Sequence, residues 1–418
     1  MIVGLDIGTS VIRVAIGEVD EESGKVTIAG TASRKSAGLR NGVIVNIEDA
    51  KSVIRETIEA AELDAGVTVS SVITAIGGTQ IDSQNSRGIV AVRSSNGNSR
   101  EITREDVEKV IESSTAVPVS EDREKLHVIP QDYIVDGYGG ISDPIHRIGT
   151  RLEAKVHIVT AAKTIISNIR SCLTRAGYTL DGVMLKTLAQ TQSVCQDDEL
   201  DLGSIVIDLG AGTTDALVLL GGAPIGTASI RVGGNLVTND IAIVAGISVA
   251  TAENIKIESG CCWGEMITEE NDKEVIIPGV GGRPPEVVMQ SQICQIIQAR
   301  MLQIFTMVKT AINKQTHDSM KQLLGNVILT GGGAQMEGVV ELAESVFKPL
   351  SVRVGKPENL GGIQENYRRP DFATVIGLIL ANKNLAVRKD RTKRNKRHID
   401  KQNKNEDGFL TKLKKLFF

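Results

Sequence analysis

Residues 4–16 read GLDIGTSVIRVAI and residues 206–219 read VIDLGAGTTDALVL. Each is an apolar strand that runs into Asp, an apolar residue and Gly, then small hydroxyl residues, then a second apolar strand. The pattern predicts a β-hairpin in both places. One Asp-x-Gly turn says no more than that. Two copies, roughly 200 residues apart, predict two related halves that face each other.

The turns have a chemistry. Gly8, Gly210 and Gly212 carry no Cβ, so backbone N–H groups can approach an anion closely. Thr9, Ser10, Thr213 and Thr214 add hydroxyl donors. Asp6 and Asp208 stand at the strand ends, suited to hold the water shell of Mg²⁺. Two such turns from opposite halves fit the phosphates of a nucleotide.

Around the repeats the composition is that of two or three globular domains: 418 residues, 41% hydrophobic, with 42 Gly and 10 Pro. Aromatics are 3%, so the core must rest on Ile, Val, Leu and Ala. No apolar run approaches the roughly 20 residues that cross a bilayer; the best, Ile241 to Ala252, reads as a buried helix. The opening MIVGLDIGTS lacks a basic region and places Asp6 in its apolar stretch, unlike a secretory signal. The 5 Cys are odd in number without a CxxC, and read as reduced thiols in a cytoplasmic protein; the 5 His show no metal-ligand spacing.

Strands alternate with amphipathic helices from Met1 to about Asn382, which makes this an α/β chain. Ile47 to Glu62 is a predicted helix with Val53, Ile54, Thr57, Ile58 and Ala61 on one face. Residues 82–158 read as an inserted α+β unit containing the helix REDVEKVIESS. Residues 236–300 are helix-rich and include the loop IPGVGGRPPE. The stretch VILTGGGAQMEG, 327–338, is a strand, a Gly run and the start of a helix, where backbone donors and the helix dipole favour an anion. It lacks GxGxxG, and the chain has no GxxxxGK[ST] loop.

The three glycine segments DIGTS, IDLGAGTTD and VILTGGGAQMEG, in this order, resemble the phosphate-1, phosphate-2 and adenosine motifs of the actin/Hsp70/sugar-kinase superfamily. That resemblance implies an actin-like two-domain ATPase fold with ATP and Mg²⁺ in the cleft. It adds Gly234, Gly331, Gly332 and Gly333 to the nucleotide set. It also implies Glu253 and Lys256, from AENIK, against the adenosine. In VMLKTLAQTQSV, 183–194, Lys186 or Thr187 falls where relatives carry a Glu or Gln that positions water. A protonated Lys is no general base, so slow turnover at most is expected.

A narrower resemblance, to the FtsA family of bacterial cell division proteins, covers nearly the whole chain. Its carriers are LHVIPQDYIVDGYGGISDPI (126–145), GTRLEAKVHIVTA (149–161), NLVTNDIA (235–242), VGGRPP (280–285) and PDFATVIGLIL (370–380). It implies a first actin-like subdomain of 1–81 with 159–190, and an inserted subdomain of 82–158 that meets neighbouring subunits and later division proteins. It implies a second actin-like subdomain of 191–235 with 301–382. Residues 236–300 then become the subdomain that binds the C-terminal peptide of FtsZ, the tubulin-like division protein, through Arg300. An Arg can clamp a carboxylate at two points. The alternatives are a small-molecule kinase of the superfamily and a type IV pilus actin-like protein.

The chain is net −4, yet residues 388–418 hold 12 Lys+Arg against 4 Asp+Glu. Residues 383–407 have almost no aliphatic side chains and read as a disordered linker. Residues 408–418, GFLTKLKKLFF, place Phe409, Leu410, Leu413, Leu416 and Phe417 within a helical arc of roughly 120°, with Lys412, Lys414 and Lys415 outside it. Eleven residues are marginal for a helix in water. An apolar face rimmed by Lys predicts an amphipathic helix that folds on anionic inner-membrane lipid. Such an anchor is reversible, and polymerisation would raise its avidity. Phe and Leu clustering does not fit nucleic acid. The expected place of work is the cytoplasmic face of the membrane at the division site.

Overall fold

The computed structural model describes residues 1–383 except 21, 94–96, 280, 283, 359 and 362–364. The expected linker beyond 383 and the helix at 408–418, with Phe409, Leu410, Leu413, Leu416 and Phe417, lie outside the described residues.

The first hairpin is β1 (Ile2–Ile7) and β2 (Val11–Val19), antiparallel and in register from Ile2 opposite Gly17 to Ile7 opposite Ile12. β3 (Val26–Lys35) continues the meander. Helix α1 (Ile47–Ala65) starts where the Asn46 side chain accepts from the backbone N–H of Glu48 and Asp49. It stops at Gly66, whose φ of 67° is the left-handed cap that Gly adopts without strain. Its buried face is Ala50, Ile54, Thr57, Ile58 and Ala61; Val53 packs at the rim. β4 (Ser71–Ile76) then pairs parallel with β1.

β5 (Ile81–Ala91), α2 (Arg104–Ser114), β6 (Arg123–Val135), β7 (Tyr138–Ile141) and β8 (Arg151–Ala162) build the inserted unit. Its sheet order is β7-β6-β8-β5, and Val107, Val110 and Ile111 of α2 pack on Val128, Tyr133, Leu152 and Ile158. α3 (Lys163–Ala176) and β9 (Thr179–Leu185) close the first half as a five-stranded sheet in the order β9-β4-β1-β2-β3. α4 (Lys186–Val194) leads into the second half.

There β10 (Ile205–Leu209), β11 (Thr214–Leu220) and β12 (Ala223–Ile230) repeat the meander. α5 (Gly234–Ala245) and α6 (Val249–Ser259) follow, then a hairpin of β13 (Glu274–Ile277) and β14 (Glu286–Met289). α7 (Gln290–Thr316), β15 (Val327–Thr330), α8 (Val339–Phe347) and β16 (Val352–Val354) complete it. The second sheet, β16-β15-β10-β11-β12, has the order and strand directions of the first: a meander on one side of the leading strand, parallel strands on the other. The sequence repeat is thus a repeat of topology.

The last helix, α9 (373–383), ties the halves together. A Cβ on Gly377 would meet the Ala189 carbonyl oxygen at 1.9 Å, and one on Gly4 would meet that of Val375 at 2.5 Å. Glycine alone permits this approach of α9 to α4 and to β1. Gln190 donates to Thr374 at 3.0 Å and Ser193 to the Ala373 carbonyl at 2.7 Å across the same contact.

Some expectations need correction. Ile241 to Ala252 is not one buried helix: α5 ends at Ala245, α6 starts at Val249 after a bend of 109°, and Ile243 and Val244 point to solvent. Apolar content without a fixed burial period misled the reading. Among the described residues no single helix is long and apolar enough to cross a membrane. The loop at 277–286 is the connection of the β13–β14 hairpin, whose strands are four residues each, too short to read. The helix after the third Gly run begins only at Val339, behind a 3-10 turn at Gly332–Gln335. α7 runs without a break through the expected division at 300–301.

The inserted unit docks on the second half of its own chain. Asn85 donates to the Ile225 carbonyl at 2.9 Å, Gln131 to that of Pro224 at 2.8 Å, and His157 Nε2 lies 2.9 Å from the Thr227 hydroxyl. One face of 82–158 is therefore an intramolecular contact.

Candidate functional site

The two hairpin turns face each other across a cavity of about 650 Å³. A Cβ on Gly212 would lie 2.7 Å from Thr9 Oγ1, so the turns nearly touch. Each turn is closed the same way: a Cβ on Gly8 would meet the Val11 carbonyl at 2.5 Å, and one on Gly210 that of Thr213 at 2.7 Å. Ser10 reaches Asn235 at 3.5 Å across the opening. Gly331 adopts φ 81°, and a Cβ there would meet Asp208 Oδ1 at 2.2 Å; nothing lies within 4 Å of one on Gly332, which faces open space.

Asp6, Gly8, Thr9, Ser10, Asp208, Gly210, Gly212, Thr213, Thr214, Gly234, Glu253, Lys256, Gly331, Gly332 and Gly333 all line this cavity. The fold brings the whole cleft set together. Their hydroxyls differ in availability. Thr214 donates to the Val232 carbonyl at 2.8 Å, and Thr213 to Asp215 Oδ2 at 3.0 Å. Thr9 Oγ1 accepts from the Gly42 N–H at 2.8 Å. Thr214 holds the strand and offers no free hydroxyl, which its place in the motif did not reveal.

At the other end Lys256 Nζ lies 2.7 Å from Glu253 Oε2, 2.8 Å from Thr238 Oγ1 and 3.3 Å from the Gly234 carbonyl. These groups form one wall from α5 and α6.

The floor is charged. Lys186 Nζ lies 2.9 Å from Asp208 Oδ2 and 3.6 Å from Asp6 Oδ2, joining the strand ends of both halves. Burial would lower the Lys186 pKa, but Asp208 and Asp6 beside it hold it above the usual amine range. Beyond that ion pair, neither buried oxygen of Asp208 has a hydrogen-bond partner among the described residues. Asp215 accepts from the Gly78 N–H at 2.7 Å. Burial first, and the Asp208 charge second, push its carboxyl above the ordinary range.

Charged cavity residues escaped the sequence reading, Arg13, Arg369 and Asp371 among them. Arg13 Nη2 meets Asp371 Oδ2 at 2.5 Å, and Arg369 holds the same carboxylate at 2.7 Å, a pairing between β2 and the segment before α9. Arg13 alternates with core residues on β2, and no local signal marks its partner 358 residues away.

Does the cleft suit a nucleotide and its metal? The glycine cradle, the open space over Gly332 and Asp208 Oδ1, a buried oxygen without a hydrogen-bond partner among the described residues, fit phosphates with a hydrated cation. Among the described residues no group of three or more His, Cys, Asp or Glu is placed to hold a metal ion by itself.

Arg300 lies elsewhere, on α7, with its guanidinium on Asp240 of α5.

Known proteins extend this picture. The family model "Cell division protein FtsA" matches residues 205–377, and "SHS2 domain inserted in FTSA" matches 78–160. The chain is 40% identical over 380 residues to the cell division protein FtsA of Borreliella burgdorferi, covering 91% of this chain and 90% of that one. It is 36% identical over 385 residues to that of Escherichia coli K12, covering 91% and 89%. Among solved structures it resembles a chain of the PilM-PilN type IV pilus biogenesis complex (TM-score 0.64, 16% identity, 91% and 97% covered). MreB 5 of Spiroplasma citri bound to AMPPNP follows (0.53, 14%, 95% and 98%), as does the MamK double helical filament (0.50, 14%, 90% and 98%). Those likenesses show an actin-like fold. The two family matches and the relatives over nine-tenths of its length place the chain in the FtsA family of cell division proteins.

Proposed function

We propose that this chain is an ATP-binding division protein that polymerises, holds FtsZ filaments at the cytoplasmic face of the cell membrane, and recruits later division proteins through 82–158. The observation that carries the reading is the meeting of both glycine turns, Glu253 and Lys256 around one cavity. Family membership and the nucleotide-bound and filamentous neighbours support it.

In this reading Gly8, Gly210 and Gly212 present backbone N–H groups to phosphates, and Thr9 and Ser10 flank them. Gly331, Gly332 and Gly333, with Glu253 and Lys256, would line the adenosine. ATP, bound with Mg²⁺, would supply the phosphate charge that these donors receive. Asp6 and Asp208 would hold the metal's water shell. Lys186 is an ammonium and takes no proton from water, which suits a ligand that is slowly turned over.

Arg300 is the expected contact of an acidic FtsZ peptide. Exposed Ile243, Val244 and Val249 at the nearby α5–α6 corner favour a protein contact there. The segment 408–418 supplies the lipid anchor, joined by the basic linker. The test is fluorescence titration with mant-ATP, displaced by unlabelled ATP. Saturable binding that Gly212→Val removes supports the reading; no binding by the wild-type chain in Mg²⁺ or in EDTA sinks it.

A further inference from the structure

Among the described residues, four cations line the cavity: Arg13, Lys186, Lys256 and Arg369. Arg13 and Arg369 are taken by Asp371, and Lys256 by Glu253. Lys186 differs in its place. It opens α4 directly after β9, and its ammonium sits between Asp6 of the first hairpin and Asp208 of the second, at 3.6 and 2.9 Å. Its side chain is 18% exposed, and those of the carboxylates 7% and 2%. Asp215 adds a third buried carboxyl within the same floor.

A triphosphate entering a cleft with two aspartates at its floor meets carboxylate groups at short range, in surroundings that screen charge poorly. A hydrated divalent ion ordinarily offsets this by bridging carboxylates and phosphate. Here a covalently held cation already stands between the two aspartates.

We propose that Lys186 is a resident counter-ion of the phosphate site, which frees triphosphate binding in this chain from most of its dependence on a divalent cation. The proposal rests on the ATP-binding reading. It separates two tasks that one metal ordinarily combines: offsetting the carboxylate charge of the floor, of which Lys186 permanently cancels one unit, and ordering the phosphates, which is left to Mg²⁺. A metal alone should find this floor unattractive, because Asp6 and Asp208 share an ammonium.

The experiment uses the full chain, with mant-ATP titrated in excess Mg²⁺ and in EDTA, and Mn²⁺ alone titrated by electron paramagnetic resonance. For the wild type, replacing Mg²⁺ by EDTA should weaken mant-ATP by less than about tenfold, and Mn²⁺ alone should not bind tightly. In Lys186→Met the loss in EDTA should exceed about a hundredfold, Mg²⁺ should restore most of it, and Mn²⁺ alone should now bind. Lys186→Arg, which keeps the charge, should behave as the wild type. A wild type that loses a hundredfold or more in EDTA overturns the proposal while leaving ATP binding intact, whether or not the Met variant folds. An equal Mg²⁺-to-EDTA ratio in wild type and a folded Met variant overturns it too. Absence of binding in both buffers removes the ATP-binding reading and this proposal with it.

Discussion

Arg300 and Asp240 form a two-point ion pair between α7 and α5: Nε to Oδ2 at 2.5 Å and Nη2 to Oδ1 at 2.8 Å. The pair is part-exposed, with about a quarter of each side chain open, so it adds little to stability. It does set a condition on any acidic peptide that uses Arg300, because the peptide's carboxylate must displace one already in place. Asp240→Asn should therefore strengthen binding of the FtsZ C-terminal peptide by about three- to tenfold, and Arg300→Glu should abolish it. Fluorescence anisotropy with a labelled peptide checks both; weaker binding by Asp240→Asn would mean that the pair positions Arg300 for the peptide.

The approach of the two turns gives a second prediction. A side chain at Gly212 must enter the space of Thr9 Oγ1, 2.7 Å from a Cβ, and of the Asn41 Cα at 2.9 Å. Gly212→Val should hold the turns apart. Nucleotide affinity should fall more than tenfold while stability falls by about 1–3 kcal/mol, the usual cost of overpacking. Mant-ATP titration beside urea denaturation separates the two effects.

The third concerns Gly377. A Cβ there would overlap the Ala189 carbonyl oxygen at 1.9 Å, with backbone on both sides. Neither helix has a flexible side chain to yield. Gly377→Ala should cost at least about 2 kcal/mol by denaturant unfolding, although Ala is ordinarily the better helix former. A neutral result would show that α9 and α4 can part without penalty.

Two buried histidines give a pH dependence. Burial pushes His157 down to about 4 and His127, with His157 adding to it, down to about 3, from an ordinary 6.5. Both are neutral in the fold, while the unfolded chain takes up protons first. Their stability is fully present above pH 6.5 and is lost as pH falls toward 4 and 3. His157 alone contributes on the order of 3 kcal/mol to that loss. It also bridges the inserted unit to Thr227. Urea midpoints measured from pH 7 to pH 4 should fall less steeply for His157→Gln than for the wild type; parallel curves would remove His157 from the account.

Much of this was readable in advance where one residue pattern answers one structural demand. The helix REDVEKVIESS has the ends expected of it. In the helix, Asp106 accepts from both the Thr103 N–H and its hydroxyl, which fixes the first turn. The two hairpins carry their own turn residues, so their meeting follows once the halves are seen as copies. What stayed hidden depends on distant partners. Arg13 with Asp371, and Gly377 against Ala189, join segments that no local period connects. The β13–β14 hairpin is too short for alternation to stand out. Register marked Lys186 or Thr187 at the head of the connecting helix, but the position of Lys186 between Asp6 and Asp208 is defined only by the packing of both sheets.

The proposed role as a tether is tested most directly by sedimenting FtsZ filaments with anionic vesicles in MgATP, using the full chain and one that ends at Lys383. The account predicts that FtsZ enters the vesicle fraction with the full chain alone, and that the shortened chain still binds FtsZ in solution. Recruitment of FtsZ to vesicles by the shortened chain, or none by the full chain, would contradict it.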